Sequence, residues 1–327
     1  VDYPFENVKD FFRQHDIVLA NLEAPFARTG PTYPLKCSLK AEPDYVAGLK
    51  NAGINVVSLA NNHILDYQEA AFYETMKLLE NHGILYFGAG RNLKEARRPA
   101  IIQKNGFKIG FLGYCDVIID SPFYANMNER GVAPFQMEYV QEDMHNLRPQ
   151  VDLLILSLHW GTENFPLPSP KQFRLGRQLI DKGADLILGH HPHVVQRIEQ
   201  HKKGYIAYSL GNFLFSDIEW SWHNDRGERK NSRVNLDKKN RKSMIFSFSY
   251  DGAINAVKGF SGELNKTYQA EMLPGSHLKI IPSARSPIVL QGLKFCLYGY
   301  FSWLKGYAQL FRRRLKKLVR LIIYRHA

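Results

Sequence analysis

Histidine, asparagine and glutamate side chains gather in short clusters that each follow an apolar run of the chain. The densest cluster is His190, His191 and His193, which follows the apolar residues 184–188, and Pro192 stiffens the backbone between the last two histidines. Imidazole is well suited to bind divalent metals or to move protons near neutral pH. The cluster therefore predicts a metal or proton-transfer site, with a group of solvated surface histidines as the plain alternative.

Three further apolar runs, residues 16–20, 54–59 and 151–158, end in clusters of the same kind. Those clusters are Asn21 with Glu23, then Asn61, Asn62 and His63, then His159 with Glu163. Parallel strands place their carboxyl ends at one edge of a sheet, so we expect the clusters to converge there. Together they offer the nitrogen and oxygen ligands that a one- or two-metal centre requires.

The elements that would position these clusters alternate along the chain. Apolar spacing predicts helices over residues 43–51, 69–82, 137–146 and 170–182, between the apolar runs above and a further strand over residues 108–114. Strands that alternate with helices predict an α/β fold.

The pattern changes after residue 217. Residues 218–242 are polar and charged, and they predict a long loop over the site, either a lid that holds an anionic substrate or a solvated segment. Residues 243–250 and 253–260 predict a β-hairpin that turns at Asp251 and Gly252.

Five motifs, taken together, carry a resemblance to a known family. They are NLEAP (21–25), LANNHILDY (59–67), HWGTE (159–163), GHHPHVVQ (189–196) and YSLGNFLFSD (208–217). This set resembles the CapA family of capsule and poly-γ-glutamate synthesis proteins, within the calcineurin-like metallophosphatase superfamily. The resemblance implies a four-layer α/β sandwich with one or more divalent metal ions, such as Mn, Zn or Fe, at the strand ends.

The same resemblance implies roles for individual side chains. Glu23 would stand near the position of a bridging carboxylate, and His63 would donate a proton beside the metal. Further metal ligands would be Asn62, His159, His191 and His193. Substrate-binding or supporting positions would be Asn21, Asn61, Glu163 and Asn212.

The chain departs from the family pattern at two places. Members of the family open with a strand that ends in Gly-Asp, whereas this chain begins in the segment after it. Either the chain is truncated or the site lacks one carboxylate, which would weaken a two-metal centre. The second departure is Gln68, where the family has glycine, and it predicts an altered turn.

The carboxyl end differs in composition from the rest of the chain. Residues 294–327 contain nine Lys or Arg and no acidic residue, and the net charge of the whole chain is +12. The interleaved apolar residues predict a basic helix that lies on an anionic membrane surface or docks on the domain, since the cations interrupt any membrane span. A polyanion such as poly-γ-glutamate is a further expected partner, and no specific nucleic acid is expected.

The length of 327 residues, with 45% hydrophobic residues, is enough for one large core. We predict a CapA-like domain over residues 1–265, a connecting segment over 266–293 and the basic tail. Cys37, Cys115 and Cys296 are scattered and predict free thiols.

The sequence is compatible with two functions. One is a metal-dependent hydrolase or phosphoesterase that acts on, or holds, a phosphoester or anionic polymer in capsule synthesis. The other is a non-catalytic assembly or membrane-surface component of a polymer-synthesis complex. No secretory signal is expected at the amino end. Localisation is the cell envelope if an anchor precedes Val1, and the cytoplasm otherwise.

Overall fold

A computed structural model of the chain describes residues 1–33, 36–117, 123–223 and 229–282. In these ranges the helices are α1 (Lys9–Phe12), α2 (Val46–Ala52), α3 (Gln68–Asn81), α4 (Leu93–Ala96), α5 (Met137–Leu147) and α6 (Pro170–Asp181). The strands are β1 (Leu19–Asn21), β2 (Val56–Ser58), β3 (Leu85–Phe87), β4 (Ala89–Gly90), β5 (Ala100–Lys104), β6 (Phe107–Cys115), β7 (Gly131–Val132), β8 (Leu153–His159), β9 (Leu186–His190), β10 (Ile198–His201), β11 (Gly204–Ala207), β12 (Ile218–His223), β13 (Arg229–Val234), β14 (Lys242–Tyr250), β15 (Ile254–Leu264), β16 (Ala270–His277) and β17 (Ile280–Pro282).

The largest sheet has seven strands in the order β17-β10-β11-β9-β8-β6-β5. Its centre is parallel, because β6 pairs with β8, β8 with β9, and β9 with β11 in parallel register. All seven residues of β8 are buried, as expected for a leucine-rich strand that is covered on both faces. The carboxyl ends of β8 and β9 therefore lie side by side at one edge.

Two smaller sheets cover one face of the large sheet. One is the parallel sheet β1-β2-β3, and the other is the antiparallel sheet β14-β15-β16. Val56 and Phe87 of the first and Met244 of the second share one buried core with Phe111 and Ile155 of the large sheet. The two sheet layers are thus packed face to face.

Helices form the two outer layers. Val57 of β2 packs in a core with Phe72 of α3, on the outer side of the small parallel sheet. Leu154 of β8 packs in a separate core with Met144 of α5 and Phe173 of α6, on the far side of the large sheet. The layer order is helix, sheet, sheet, helix, and the predicted four-layer α/β sandwich is confirmed.

The predicted elements before residue 218 are confirmed with small shifts of their bounds, and β14 and β15 form the predicted antiparallel hairpin. The loop prediction for residues 218–242 is wrong, because β12 and β13 pair there as an antiparallel ribbon. Ile218, Trp220 and Trp222 alternate with polar residues, which is typical of a strand, but the prediction followed the many charged residues of the segment. Strands β16 and β17 occupy part of the predicted connecting segment, and β17 pairs with β10.

Gln68 occupies the position where the resemblance implied glycine, and its φ is +58°. The backbone therefore has the left-handed conformation that glycine adopts most readily, and the altered turn stays a prediction. A non-glycine residue in this region costs about 1 kcal/mol.

The predicted tail, residues 294–327, lies outside the described residues, as does Cys296. Cys37 and Cys115 are free thiols, as predicted. Among the described helices, none combines the length and the apolar character that a bilayer crossing requires.

Gly189, the first residue of the GHHPHVVQ motif, has no room for a side chain. A Cβ there would lie 2.0 Å from the carbonyl oxygen of Tyr208 and 2.6 Å from Nε1 of Trp160. We expect Gly189→Ala to lower the free energy of unfolding by at least about 1–3 kcal/mol, since buried overpacking displaces its neighbours. Urea denaturation followed by circular dichroism measures this loss.

Gly252→Ala is the matched control for that prediction. Nothing lies within 4 Å of a Cβ at Gly252, whose φ is +108°, so only the backbone strain of about 1 kcal/mol is expected. Equal losses in the two variants would contradict the steric explanation.

Candidate metal centre

The polar clusters meet at one edge of the sandwich, and they come from both sheet layers. Asn21 ends β1, and Asn62 follows shortly after β2 of the small parallel sheet. His159 ends β8, and His191 follows β9 of the large sheet. The predicted convergence of strand ends is therefore what the structure shows.

Glu23 lies at the centre of the cluster. Its Oε1 is 3.4 Å from Nε2 of His193 and 3.8 Å from Nε2 of His159. The same nitrogen of His159 lies 2.7 Å from Oδ1 of Asn62. Four of the five predicted metal ligands thus face one another directly.

The fifth predicted ligand, His191, belongs to an overlapping group. One ligand atom from each of Glu163, His191 and His193 lies within 4.8 Å of the others. The ring centroids of His191 and His159 are 5.0 Å apart, and those of His191 and His193 are 5.9 Å apart. Because His193 belongs to both groups, the donor set is large enough for one or two cations.

Two observations are consistent with a cation at this donor set. Within the described part of the chain, Oε1 of Glu23 and Nδ1 of His191 are buried and have no hydrogen-bond partner. Such groups are costly unless a ligand compensates them. Moreover, His191 has a φ of +93° and His193 a φ of +54°, and such backbone conformations cost a non-glycine residue about 1–3 kcal/mol.

Supporting side chains hold the carboxylate and the adjacent turn. Nδ2 of Asn21 donates to Oε2 of Glu23 at 2.9 Å, which turns the other oxygen toward the histidines. Asn61 is fully buried, and its Oδ1 accepts from the backbone N–H groups of His63 and Ile64. Asn61 therefore shapes the turn after β2, and its Nδ2 ties this turn to the segment after β1 by donating to the carbonyl oxygen of Leu22 at 2.8 Å.

His63 is oriented by a buried carboxylate that the motif analysis did not single out. Its Nδ1 lies 2.7 Å from Oδ2 of Asp66, and Asp66 forms an ion pair with Lys36. Asp66 is fully buried and also accepts from the backbone N–H of Leu39 at 2.7 Å. The spacing of three residues between His63 and Asp66 was the available sequence signal, because a turn brings such positions together.

Burial favours the neutral form of His159, His190 and His191. It lowers the pKa of His159 well below the usual value, and the nearby His191, His190, His193 and His63 add to the effect. Burial likewise lowers the pKa of His191 to about 3, with smaller contributions from His193 and His63, and that of His190 to about 4. Neutral imidazole is the form that binds a metal.

These shifts predict acid sensitivity of the metal-free protein. The folded-state pKa of His191 lies below the unfolded value of about 6.5, so protonation favours the unfolded state. The stability should be complete above about pH 6.5 and fall toward pH 4, by about 1.4 kcal/mol per pH unit for each such histidine. Urea unfolding at several pH values with a chelator present measures this slope.

His191→Gln should reduce that slope by the share of one histidine, and replacement of the exposed His145 by Gln is the control. An unchanged slope in His191→Gln would contradict the assignment of the effect to this ring.

The profile of a family described as bacterial capsule synthesis protein PGA_cap matches residues 1–217. The chain belongs to this family. The predicted CapA resemblance is thereby confirmed.

Named relatives agree with this assignment. The capsule biosynthesis protein CapA of Bacillus anthracis is 32% identical over 231 residues, which covers 67% of this chain and 55% of that protein. The PGA biosynthesis protein CapA of Bacillus subtilis (strain 168) is 34% identical over 223 residues, which covers 67% of this chain and 58% of that protein. The chain therefore spans little more than half the length of these relatives.

Solved structures resemble the fold more distantly. A phosphatase from Mycoplasma pneumoniae is 14% identical with a TM-score of 0.44, and the match covers 84% of this chain and 90% of that one. A putative 5'-nucleotidase from Staphylococcus aureus is 12% identical with a TM-score of 0.43, and the match covers 82% of this chain and 46% of that one. The order of helix, sheet, sheet and helix follows from the sheets and cores of this chain itself.

Proposed function

We propose that the chain binds one or more divalent cations at the strand-end centre and acts there on a phosphoester or an anionic polymer during capsule or poly-γ-glutamate synthesis. The observation that carries the proposal is the convergence of four side chains, joined by contacts of less than 4 Å: Glu23, Asn62, His159 and His193. Among them, Oε1 of Glu23 is buried and has no hydrogen-bond partner within the described residues. The names of the relatives, capsule and PGA biosynthesis proteins, suggest the biological setting.

The residues that would hold the cation are Glu23, Asn62, His159, His191 and His193, with Glu163 as a further carboxylate ligand. When bound, a divalent cation supplies Lewis-acid polarisation of a phosphoryl or carbonyl oxygen. Imidazole, amide and carboxylate donors accept several first-row ions, so Mn, Zn and Fe are all compatible with this set.

The other side chains position the substrate and transfer a proton. The Nδ1 of His63 is held by Asp66, which leaves its Nε2 as the atom that donates a proton to a leaving group. Lys36 balances the charge of Asp66 and also donates to the carbonyl oxygen of Asn62 at 2.7 Å. The proton donor and a metal ligand are thus fixed by one buried ion pair.

The proposed partner is an anionic polymer such as poly-γ-glutamate, and the net charge of +12 supports this by general electrostatic attraction. Contact of residues 294–327 with an anionic membrane surface is a second proposed interaction. It rests on the nine cations and the interleaved apolar residues of that segment.

The decisive experiment measures metal content and hydrolysis together. We expect the purified chain to retain Mn, Zn or Fe in stoichiometric amount and to hydrolyse a generic aryl phosphate. His191→Ala should lose both properties. His201 lies on β10 and pairs with Asp181 of α6, so His201→Ala should lose neither property.

The opposite result favours the assembly function. If the wild-type chain retains no metal after reconstitution and shows no hydrolysis, the catalytic proposal fails. Binding of an anionic polymer without turnover would then describe the function of the strand-end centre.

A further inference from the structure

Asn240 lies outside every motif that the sequence predicted for the centre, yet its buried side chain reaches two loops that carry candidate ligands. Its Nδ2 donates to the carbonyl oxygen of His193 at 3.0 Å and to Oδ1 of Asn164 at 2.6 Å. Asn164 directly follows Glu163 in the loop after β8. A single amide group therefore ties the loop of His193 to the loop of Glu163.

His193, Asn212 and Asn240 form a closed ring of hydrogen bonds. Nδ1 of His193 donates to Oδ1 of Asn212 at 2.9 Å, and Nδ2 of Asn212 donates to the carbonyl oxygen of Asn240 at 3.0 Å. The amide of Asn240 closes the ring at the carbonyl oxygen of His193. Because Oδ1 of Asn212 can only accept, Nδ1 of His193 carries a proton, and in the neutral ring Nε2 has the lone pair that faces Glu23.

Asn240 projects from a turn that is itself anchored. Oδ1 of Asp237 accepts from the backbone N–H groups of Lys239 and Asn240, both at 3.0 Å. Strand β14 begins two residues later, where a Cβ on Gly211 would lie only 2.5 Å from the carbonyl oxygen of Lys242. The start of β14, just after this turn, therefore packs closely against the backbone of Gly211, next to Asn212.

We propose that Asn240 is a positioning residue of the metal centre. Its two N–H donors hold the strained backbone of His193 and the loop of Glu163 in the arrangement that lets both side chains face one cation. The metal-binding part of this inference rests on the proposed function. The effect on the imidazole of His193 does not, because the hydrogen-bond ring is complete without a cation.

The first test is the affinity of the metal-free chain for Mn²⁺ and Zn²⁺, measured by calorimetry. Asn240→Ala should weaken binding about 10–100-fold, the range typical of residues that orient a ligand. The matched control is Asn255→Ala near the far end of β14, since Nδ2 of Asn255 also donates to one side chain, Asp251, and one carbonyl, Ala253. Affinity within twofold of wild type in Asn240→Ala would overturn the proposal.

A double-variant cycle tests the ring itself. If Asn212 and Asn240 act as one unit, Asn212→Ala combined with Asn240→Ala should weaken binding no more than the stronger single variant does. Losses that multiply would overturn the ring as a unit. Asn164→Gly keeps the left-handed backbone at φ +60° and removes one acceptor of Asn240, so it should cause a smaller loss and remain folded if Asn240→Ala does not.

The second readout needs no metal. Two-bond proton–nitrogen correlation spectra should show His193 of the metal-free wild type as the Nδ1–H tautomer alone. The Nε2–H tautomer should appear in Asn240→Ala, and an unchanged spectrum would overturn the proposal. If the wild type binds no metal, the proposed function fails while this spectrum still decides the role of Asn240.

Discussion

Glu23→Gln should have opposite effects on metal affinity and on the stability of the metal-free protein. Removal of the carboxylate charge should weaken Mn²⁺ or Zn²⁺ binding by at least about 100-fold, beyond the range of residues that only orient a ligand. Without metal, the variant should be more stable by about 1–3 kcal/mol, because Oε1 of Glu23 is buried and unpartnered within the described structure. An amide N–H at this position can donate to Nε2 of His193.

Glu129→Gln is the matched control for that prediction. Oε2 of Glu129 accepts from Nδ2 of Asn126, as Oε2 of Glu23 accepts from Asn21, but Glu129 is exposed and belongs to none of the motifs. Calorimetric titration and urea denaturation of both variants give the two quantities. A destabilised metal-free Glu23→Gln would contradict the interpretation of Glu23 as an uncompensated charge.

Asp66→Ala should lower the free energy of unfolding by about 3–5 kcal/mol, because it leaves the ammonium group of Lys36 without its carboxylate in a buried setting. The side chain of Lys36 is 12% exposed and that of Asp66 is fully buried. The variant also frees Nδ1 of His63 and the backbone N–H of Leu39. Urea denaturation at pH 7 measures the loss.

Two comparisons separate the buried charge from other causes. Asp44→Ala removes an exposed partner of Arg28 and should cost no more than about 1 kcal/mol. Lys36→Met in the Asp66→Ala background should restore part of the stability, since the unpaired charge is gone. No recovery in the double variant would show that the ion pair is not the source of the loss.

The strand ends could be predicted from the sequence because local patterns determine them. Leucine-rich runs fix β8 and β9, and parallel pairing then brings His159 and His190 into register at one edge. The side chains that complete the centre could not be predicted this way. Lys36 reaches Asp66 across 30 positions and Asn240 reaches Asn164 across 76, from turns that no periodic pattern describes.

The segment after residue 217 shows the same limit from another side. The many charged residues suggested a loop. The alternation of Ile218, Trp220 and Trp222 with polar residues is instead typical of the strand that pairs in the β12–β13 ribbon. Asn240 lies in the turn between this ribbon and β14. The composition of that turn does not predict a contact with the histidines.

The donor atoms come from both sheets of the sandwich, and this division has a mechanical consequence. Glu23 and Asn62 extend from the small parallel sheet, whereas His159 and His193 extend from the large one. A cation bound there would therefore cross-link two layers that share an apolar core and, at this edge, the contact between His159 and Asn62. At a free concentration of 100 times Kd, such a link would add about 2.7 kcal/mol to the stability of the folded state, and a chelator would remove that contribution.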